Sequence, residues 1–238
     1  MWSVAKRWLL HTWLHPRYLA HRELYSIMAL EMPRLKGRLL DVGCGRRPYA
    51  ELAIGVQEYV GLDMPTTMHG TNRVDVLGSA VSLPFDNCVF DSLVCTEVLE
   101  HVPEPALALQ EFVRVMRPGG VMILTVPLSE QLHEEPHDYY RFTRHSLHYL
   151  LERYGLRIQS TYERGGAWLE ISYRTSSFLY SWMGATVEPS GSLKPRLLLG
   201  PVAVLLCTII QLLGALLNRI WLVRLSTIGY GVVAIKGE

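Results

Sequence analysis

The stretch LLDVGCG, Leu39 to Gly45, constrains the fold more than anything else in the 238 residues. Leu39, Leu40 and Val42 form a short apolar run that ends in two closely spaced glycines. That pattern reads as a buried strand entering a tight turn. EYVGLDMP reads as a second short strand, ending at Asp63. FDSLVCTEVLEHV reads as a third strand that runs into a helical turn. ALALQEFVRVMRPGG has the pattern of an amphipathic helix stopped by Pro118, Gly119 and Gly120. VMILTVPL is apolar throughout, as in a strand covered on both faces. RHSLHYLLERYGLRIQSTY gives a helix, a glycine stop and a strand, and TIGYGVVAIKG is strand-like. Strands alternating with helices imply an α/β fold with a doubly wound, largely parallel sheet of Rossmann-like type.

In such a sheet a ligand sits beyond the carboxyl ends of the strands. Gly43 and Gly45 follow the first strand and let the backbone come close to it. A helix starting near Pro48 would offer free N–H groups to an anion. Asp63, at the next strand end, is placed to accept hydrogen bonds from ribose hydroxyls. The first loop is short and lacks the full G-x-G-x-x-G, which argues against NAD.

The formal charge is +1, so no overall field points to nucleic acid or to an acidic partner. The four cysteines form no C-x-x-C pair and read as reduced thiols of a cytoplasmic protein. Residues 1–37 read as a helical, basic and aromatic segment. They show neither an unbroken apolar stretch nor a small-residue cleavage site, so they do not read as a secretory signal.

LLDVGCG, GLD, SLPFDNCVFDSLVCTEVLEHV, RVMRPGGVMILTVP and PHDYYRFTRHSLHYLLERYGLRI follow one another in order. Together with the last strand they resemble the class I S-adenosylmethionine (SAM)-dependent methyltransferases, in the broad group that includes quinone-biosynthesis enzymes. The resemblance implies a seven-stranded sheet, mostly parallel, with a C-terminal antiparallel hairpin. It implies that Asp41, Gly43 and Gly45 hold the methionine part of SAM and that Asp63 takes the ribose. Met64 would pack on the adenine, and Ser79, Ala80 and Leu83 would border its edge. Thr96 joins this cofactor-binding set. Two positions depart from the group. Arg47 stands where a third glycine is usual, and Ser79 stands where an acid is frequent.

The reaction implied is methyl transfer to a small, lipophilic acceptor at oxygen. A catalytically silent SAM-binding or scaffold protein, a Rossmann-like protein that has lost its ligand, and a metal-dependent nucleic-acid 2′-O-methyltransferase are the alternatives. The lack of a strongly basic surface speaks against the last.

An oxygen acceptor needs a base or a metal to lose its proton. Glu97, Glu100 and His101 have helical offsets of 0, 3 and 4, which would put all three on one face. In some relatives, quinone O-methyltransferases and small-RNA 2′-O-methyltransferases among them, an E-x-x-E-H group binds a divalent cation, which here would be magnesium. His137 would complete the ligand set. HEEPH, His133 to His137, also matches the H-E-x-x-H of zinc proteases. Pro136 breaks the helix that such a site needs, so the match is set aside. The stretch reads instead as a loop over the methyl-transfer site. His137, His101 and Tyr139 are the catalytic candidates. Tyr139, Tyr140 and Phe142 could equally be packing residues, with Arg141 paired to a carboxylate.

The C-terminal third carries most of the excess apolar character. Leu197 to Asn218 contains no charged residue and would run about 33 Å as a helix. The chain then divides into the segment 1–37, a methyltransferase core of 38–164 and 225–238, and an apolar helical insertion at 165–224. If the last strand returns to the sheet, a single membrane crossing is disfavoured. The insertion then reads as an in-plane membrane helix on the inner face of the membrane, or as a homodimer interface. Thr208, Gln211, Ala215 and Asn218 form a narrow stripe suited to packing on protein.

Overall fold

Seven strands build the main sheet of the computed structural model, which describes residues 12–68, 70–184, 186–187, 193–194 and 200–238. They are β1 (Gly37–Val42), β2 (Val56–Asp63), β3 (Val76–Leu77), β4 (Phe90–Thr96), β5 (Met116–Pro127), β6 (Leu156–Glu163) and β7 (Gly229–Lys236). Their order is β3-β2-β1-β4-β5-β7-β6. β1 pairs parallel with β2 and with β4, β2 with β3, and β4 with β5, whereas β7 runs antiparallel to β5. The chain moves outward from β1 on one side and returns to start β4 on the other. The switch point therefore lies between β1 and β4, where an open α/β sheet binds its ligand.

The apolar runs account for the buried, parallel character of the central strands. The last four residues of β1 are buried, as are most of β4 and the last six of β5. Strands buried this thoroughly need cover on both faces, which parallel crossovers through helices provide. Helices α2 (Pro105–Val115) and α3 (Arg144–Arg153) supply part of it, burying Ala108, Leu109, Phe112, Leu147 and Leu151 in the same core as Leu40, Leu93 and Leu124. Thr143 starts α3 by accepting a hydrogen bond from the Ser146 N–H at 3.2 Å.

Three local expectations are corrected. The helix near Pro48 does not form. Only a 3-10 turn, Ala50–Leu52, lies there, because Gly55 and the start of β2 leave no room for a stable helix. α2 ends at Val115, and Met116 already has extended backbone and pairs with Phe90. Pro118 biases Arg117 away from helical angles, so the helix cannot run up to the proline itself. The E-x-x-E-H group is not on one helical face. Its only helical part is the turn Leu99–His101, and Glu97 has φ 53°.

The chain divides into two units. The sheet unit comprises Ser26–Leu128, Leu132–Tyr162 and Gly229–Glu238. The other comprises Ser129–Gln131, Glu163–Ile228 and the described residues up to Tyr25. Helix α1 (Tyr18–Glu31) contributes residues to both; the first eleven residues of the expected N-terminal segment lie outside the described residues.

The second unit holds the insertion between β6 and β7. It contains α4 (Ala167–Gly184) and the apolar α5 (Gly200–Ile220), which pack antiparallel. Their base is closed where the Ala167 N–H donates to the Val223 carbonyl at 2.8 Å. Leu19, Ala20, Leu169, Tyr173 and Ile228 make the small core. Beside it Arg17 and Glu130 pair at 2.6 Å.

Candidate active site

The turn after β1 is shaped by backbone demands that only certain residues meet. Gly43 has φ 70°, and a Cβ there would lie 2.2 Å from a Val98 methyl, so any side chain would collide with the chain following β4. Gly45 has φ 48°. The N–H groups of Gly43 and Cys44 both donate to the Leu62 carbonyl, at 2.8 and 3.0 Å. The Gly45 N–H donates to Asp63 Oδ2 at 2.8 Å. Asp63 also accepts from the Met64 N–H at 2.7 Å and from the Thr67 hydroxyl at 3.3 Å. The aspartate expected to serve the ribose thus first ties together the ends of β1 and β2. Two carboxylate oxygens offer about four acceptor positions, so roughly one remains for a ligand hydroxyl.

Asp41 is buried and accepts a hydrogen bond from the Tyr59 hydroxyl. Loss of water pushes its carboxyl up to about 7, despite the opposing pull of the Tyr59 hydrogen bond and the Arg47 charge, and Asp63 adds to the rise. Arg47 has φ 53°, the left-handed backbone that explains why glycine is usual there. Its guanidinium lies over the Tyr59 ring at 5.2 Å and pairs with Asp75. Gly61 leaves the space, since a Cβ there would sit 2.7 Å from that guanidinium.

Tyr59 and Thr67 were not singled out in the sequence. Tyr59 had a signal: in Y-x-G-x-D it shares a strand face with Gly61 and Asp63.

The adenine set is more dispersed in role. The Gly78 N–H donates to the Asp63 carbonyl at 3.0 Å, so the segment Ser79–Leu83 leaves from the ribose end of the site. Ser79 turns its hydroxyl toward the Val81 N–H at 3.4 Å. Ala80 and Leu83 are core side chains, whereas Met64 is 47% exposed and available to pack on a ring. At the end of β4 the Thr96 hydroxyl is buried without a hydrogen-bond partner among the described residues. A buried orphan hydroxyl at a strand's carboxyl end is the kind of group a polar ligand satisfies. Its place at the end of β4 fits the polar amino-acid part of SAM.

The acceptor candidates separate into two groups. Glu97 turns to β5: its N–H donates to the Thr125 carbonyl at 3.1 Å and its carboxylate accepts from the Thr125 hydroxyl at 3.1 Å. Glu100 is fully buried, and its carbonyl accepts the N–H groups of Tyr139 and Tyr140. His101 Nδ1 lies 2.7 Å from the His137 carbonyl. A carbonyl only accepts, so this contact assigns the proton to Nδ1 and leaves Nε2 as the lone-pair nitrogen. Nε2 is 3.8 Å from Glu100 and 4.0 Å from Glu134. The His133 ring meets His101 edge-on at 4.7 Å between centroids.

His137 is exposed, and its ring contacts the Tyr139 hydroxyl at 3.1 Å. It reaches His101 through its backbone and not through its imidazole. Ligand atoms of Glu100, His101 and His133 lie within 4.8 Å of one another. Among the described residues, His133 and not His137 is the loop histidine of this group. Asp138 holds the loop: it accepts from the His133 N–H at 3.0 Å and from both Arg141 nitrogens at 2.5 and 2.7 Å. Those hydrogen bonds, the Arg141 pair above all, lower its carboxyl to about 2.

Residues 40–124 match the methyltransferase domain family. Ubiquinone biosynthesis O-methyltransferases are similar over part of the chain. That of Alkalilimnicola ehrlichii is 35% identical over 100 residues, 37% of this chain and 40% of that protein. That of Thiobacillus denitrificans is 30% identical over 131 residues, 47% of this chain and 56% of that protein. The match therefore spans about half the length of these relatives.

Two solved structures show the same fold at low identity. A SAM-dependent methyltransferase from Archaeoglobus fulgidus superposes with TM-score 0.53 and 18% identity, covering 97% of this chain and 99% of that one. The [4+2]-cyclase SpnF gives 0.57 and 19%, covering 90% and 81%. With its sheet order and the Gly43–Asp63 turn, the segment 40–124 is a methyltransferase domain of the class I, SAM-dependent group.

Proposed function

We propose that the protein transfers a methyl group from SAM to an oxygen of a small, lipophilic acceptor, with His101 as the base. The observation that carries this is the 2.7 Å contact of His101 Nδ1 with the His137 carbonyl, which presents Nε2 as a proton acceptor of fixed tautomer. SAM supplies an electrophilic methyl on a sulfonium, which leaves as a neutral thioether when the acceptor oxygen attacks. Asp63 and the Gly43–Gly45 turn would hold its nucleoside, and Asp41 and Thr96 its amino-acid part. His101 Nε2 takes the acceptor's proton, and the buried Glu100 carboxylate 3.8 Å away stabilises the resulting imidazolium. Oxygen is favoured because the similar ubiquinone-biosynthesis proteins are named as O-methyltransferases. His137 and Tyr139, exposed and in contact with each other, would meet the acceptor.

The test uses labelled SAM and hydroxylated aromatic acceptors with alkyl tails. His101→Gln is expected to lower kcat by about 10² to 10⁴ with SAM affinity retained. Retained kcat would remove His101 from this role. No methylation of any acceptor in a lysate, with SAM bound, would favour the silent SAM-binding reading, which the shared fold of a cyclase keeps in view.

One observation favours a second reading. The grouping of Glu100, His101 and His133 could hold a divalent cation, with His101 as a ligand. Activity that survives a chelator with the true acceptor would eliminate it.

A further inference from the structure

Helix α5 has two faces of opposite character. Ala203, Cys207, Gln211 and Gly214 share one face and are buried. There α4 approaches so closely that a Cβ on Gly214 would lie 1.9 Å from the Ser172 hydroxyl. Every uncharged polar side chain on α5 beyond that contact is also used within the unit. Gln211 accepts from the Leu19 N–H at 3.2 Å and donates to the His15 carbonyl at 3.0 Å. Thr208 donates to the Trp13 carbonyl at 3.0 Å, and Asn218 accepts from the Gly166 N–H at 3.2 Å. The polar stripe therefore does pack on protein.

The opposite face is apolar over its whole length. Leu205, Ile209, Leu212, Leu213, Leu216 and Ile220 are 44% to 73% exposed. At helical spacing they cover an arc of about 100° along roughly 22 Å. Trp221 and Leu225 continue this surface past the helix end, and Leu225 is 90% exposed. Exposed Arg219 and Arg224 border it. Across the insertion, 165–224, the sequence has five basic residues (Arg174, Lys194, Arg196, Arg219, Arg224) against two acids, Glu170 and Glu188.

We propose that this face lies in the plane of a bilayer surface that contains anionic lipid. Leu213 and Leu216 sit among the upper acyl chains, Trp221 lies at the boundary, and Arg219 and Arg224 meet the lipid phosphates. Charge decides between lipid and a second copy. Two such faces would oppose two basic rims; of the insertion's two acids, Glu170 already pairs with Arg174 within α4. An anionic bilayer complements the rim and gains about 1 kcal/mol per arginine near its surface. A membrane crossing is inconsistent with the buried face, whose glutamine and threonine are bonded to residues 13–19. The inference concerns the second unit and is independent of the reaction proposed above.

Flotation of the full chain with vesicles tests it and needs no cofactor. The protein is expected to float with vesicles of phosphatidylcholine and phosphatidylglycerol, and more weakly with phosphatidylcholine alone. Leu213→Glu with Leu216→Glu should abolish flotation while SAM affinity stays at the wild-type value. Arg219→Gln with Arg224→Gln should weaken binding to anionic vesicles about thirtyfold. Should the glutamate variant not fold, Ile220→Gln with Trp221→Gln, at highly exposed positions, is read in the same assay. Four results would overturn the proposal: no flotation on either vesicle, unchanged flotation of the glutamate variant, a dimer in sedimentation that this variant dissociates without lipid binding, or a bound form resisting alkaline extraction as a spanning helix does.

Discussion

Two loops of the sheet unit, residues 41–47 and residues 132–142, are held in place by different means. The first is fixed through backbone. Positive φ at Gly43, Gly45 and Arg47 sets its course, and three of its N–H groups go to Leu62 and Asp63. The second adds side-chain ties to its backbone anchors, the Tyr139 and Tyr140 N–H groups on the Glu100 carbonyl. Asp138 gathers Arg141 and His133, Tyr140 donates to the Pro103 carbonyl at 2.8 Å, and Phe142 is buried. A loop held through backbone leaves its demands visible as glycines and a strand-end aspartate. A loop held by side-chain pairs can be built from many sequences. The cofactor end of the site is constrained, and the acceptor end is free to vary.

The strongest way to break this contrast is Asp63→Ala. It removes the acceptor for the Gly45 and Met64 N–H groups and the proposed ribose partner together. SAM affinity by calorimetry is expected to fall at least about 100-fold, roughly 2.7 kcal/mol, with a smaller loss of folding stability of about 1–2 kcal/mol. A loss of SAM affinity below tenfold would show that the turn holds its shape without Asp63.

Asp138→Asn attacks the other loop. The Asp138 carboxyl is depressed to about 2, so its contribution is present above the unfolded value near 4 and is lost as pH falls through 2. At neutral pH the variant should unfold in urea with about 2 kcal/mol less stability, and the difference should shrink between pH 4 and 2. SAM affinity should be unchanged. If it falls in step, the two loops are not independent.

Asp41 sharpens the comparison from the cofactor side. Its carboxyl is raised to about 7 by burial, so in the unliganded protein the protonated form is favoured below that pH. Stability from this group is fully present below about 4 and is lost as pH rises through 7. Binding a cationic ligand needs the ionised form, so the sign is reversed for SAM. Affinity should weaken by up to about tenfold per pH unit below 7, with proton release on binding near neutrality. Asp41→Asn should bind weakly with no such slope. A slope that persists in the variant would place the titrating group elsewhere.

These differences also explain what was legible in the sequence. Buried, largely parallel strands were legible in apolar runs such as Val121–Pro127, whereas the seven-stranded arrangement with its antiparallel end came from the family resemblance. The turn at Gly43 was legible because Val98 leaves no space for a Cβ. The helix at Pro48 was over-read because seven residues before Gly55 cannot sustain one. Glu97 was misplaced because helical offsets were applied to a residue whose φ is 53°. The loop carrying His133 was read as lying over the site, but its approach to His101 depends on chain reversal around Asp138, and sequence spacing carries no record of that.

Arg47 is the one residue of the first loop that uses both kinds of support, and it gives the smallest and most discriminating prediction. Its left-handed backbone costs about 1 kcal/mol relative to glycine. Its guanidinium recovers a comparable amount by pairing with the half-exposed Asp75 and lying over Tyr59. Arg47→Gly should therefore change folding stability by less than about 1 kcal/mol. The arginine charge also lowers the Asp41 carboxyl, so its removal should move the midpoint of the SAM pH profile upward from about 7. Calorimetry across pH 6 to 9 reads that shift. An unchanged midpoint would mean that Arg47 supports the turn without tuning it. A downward shift would contradict the assigned direction of its field on Asp41.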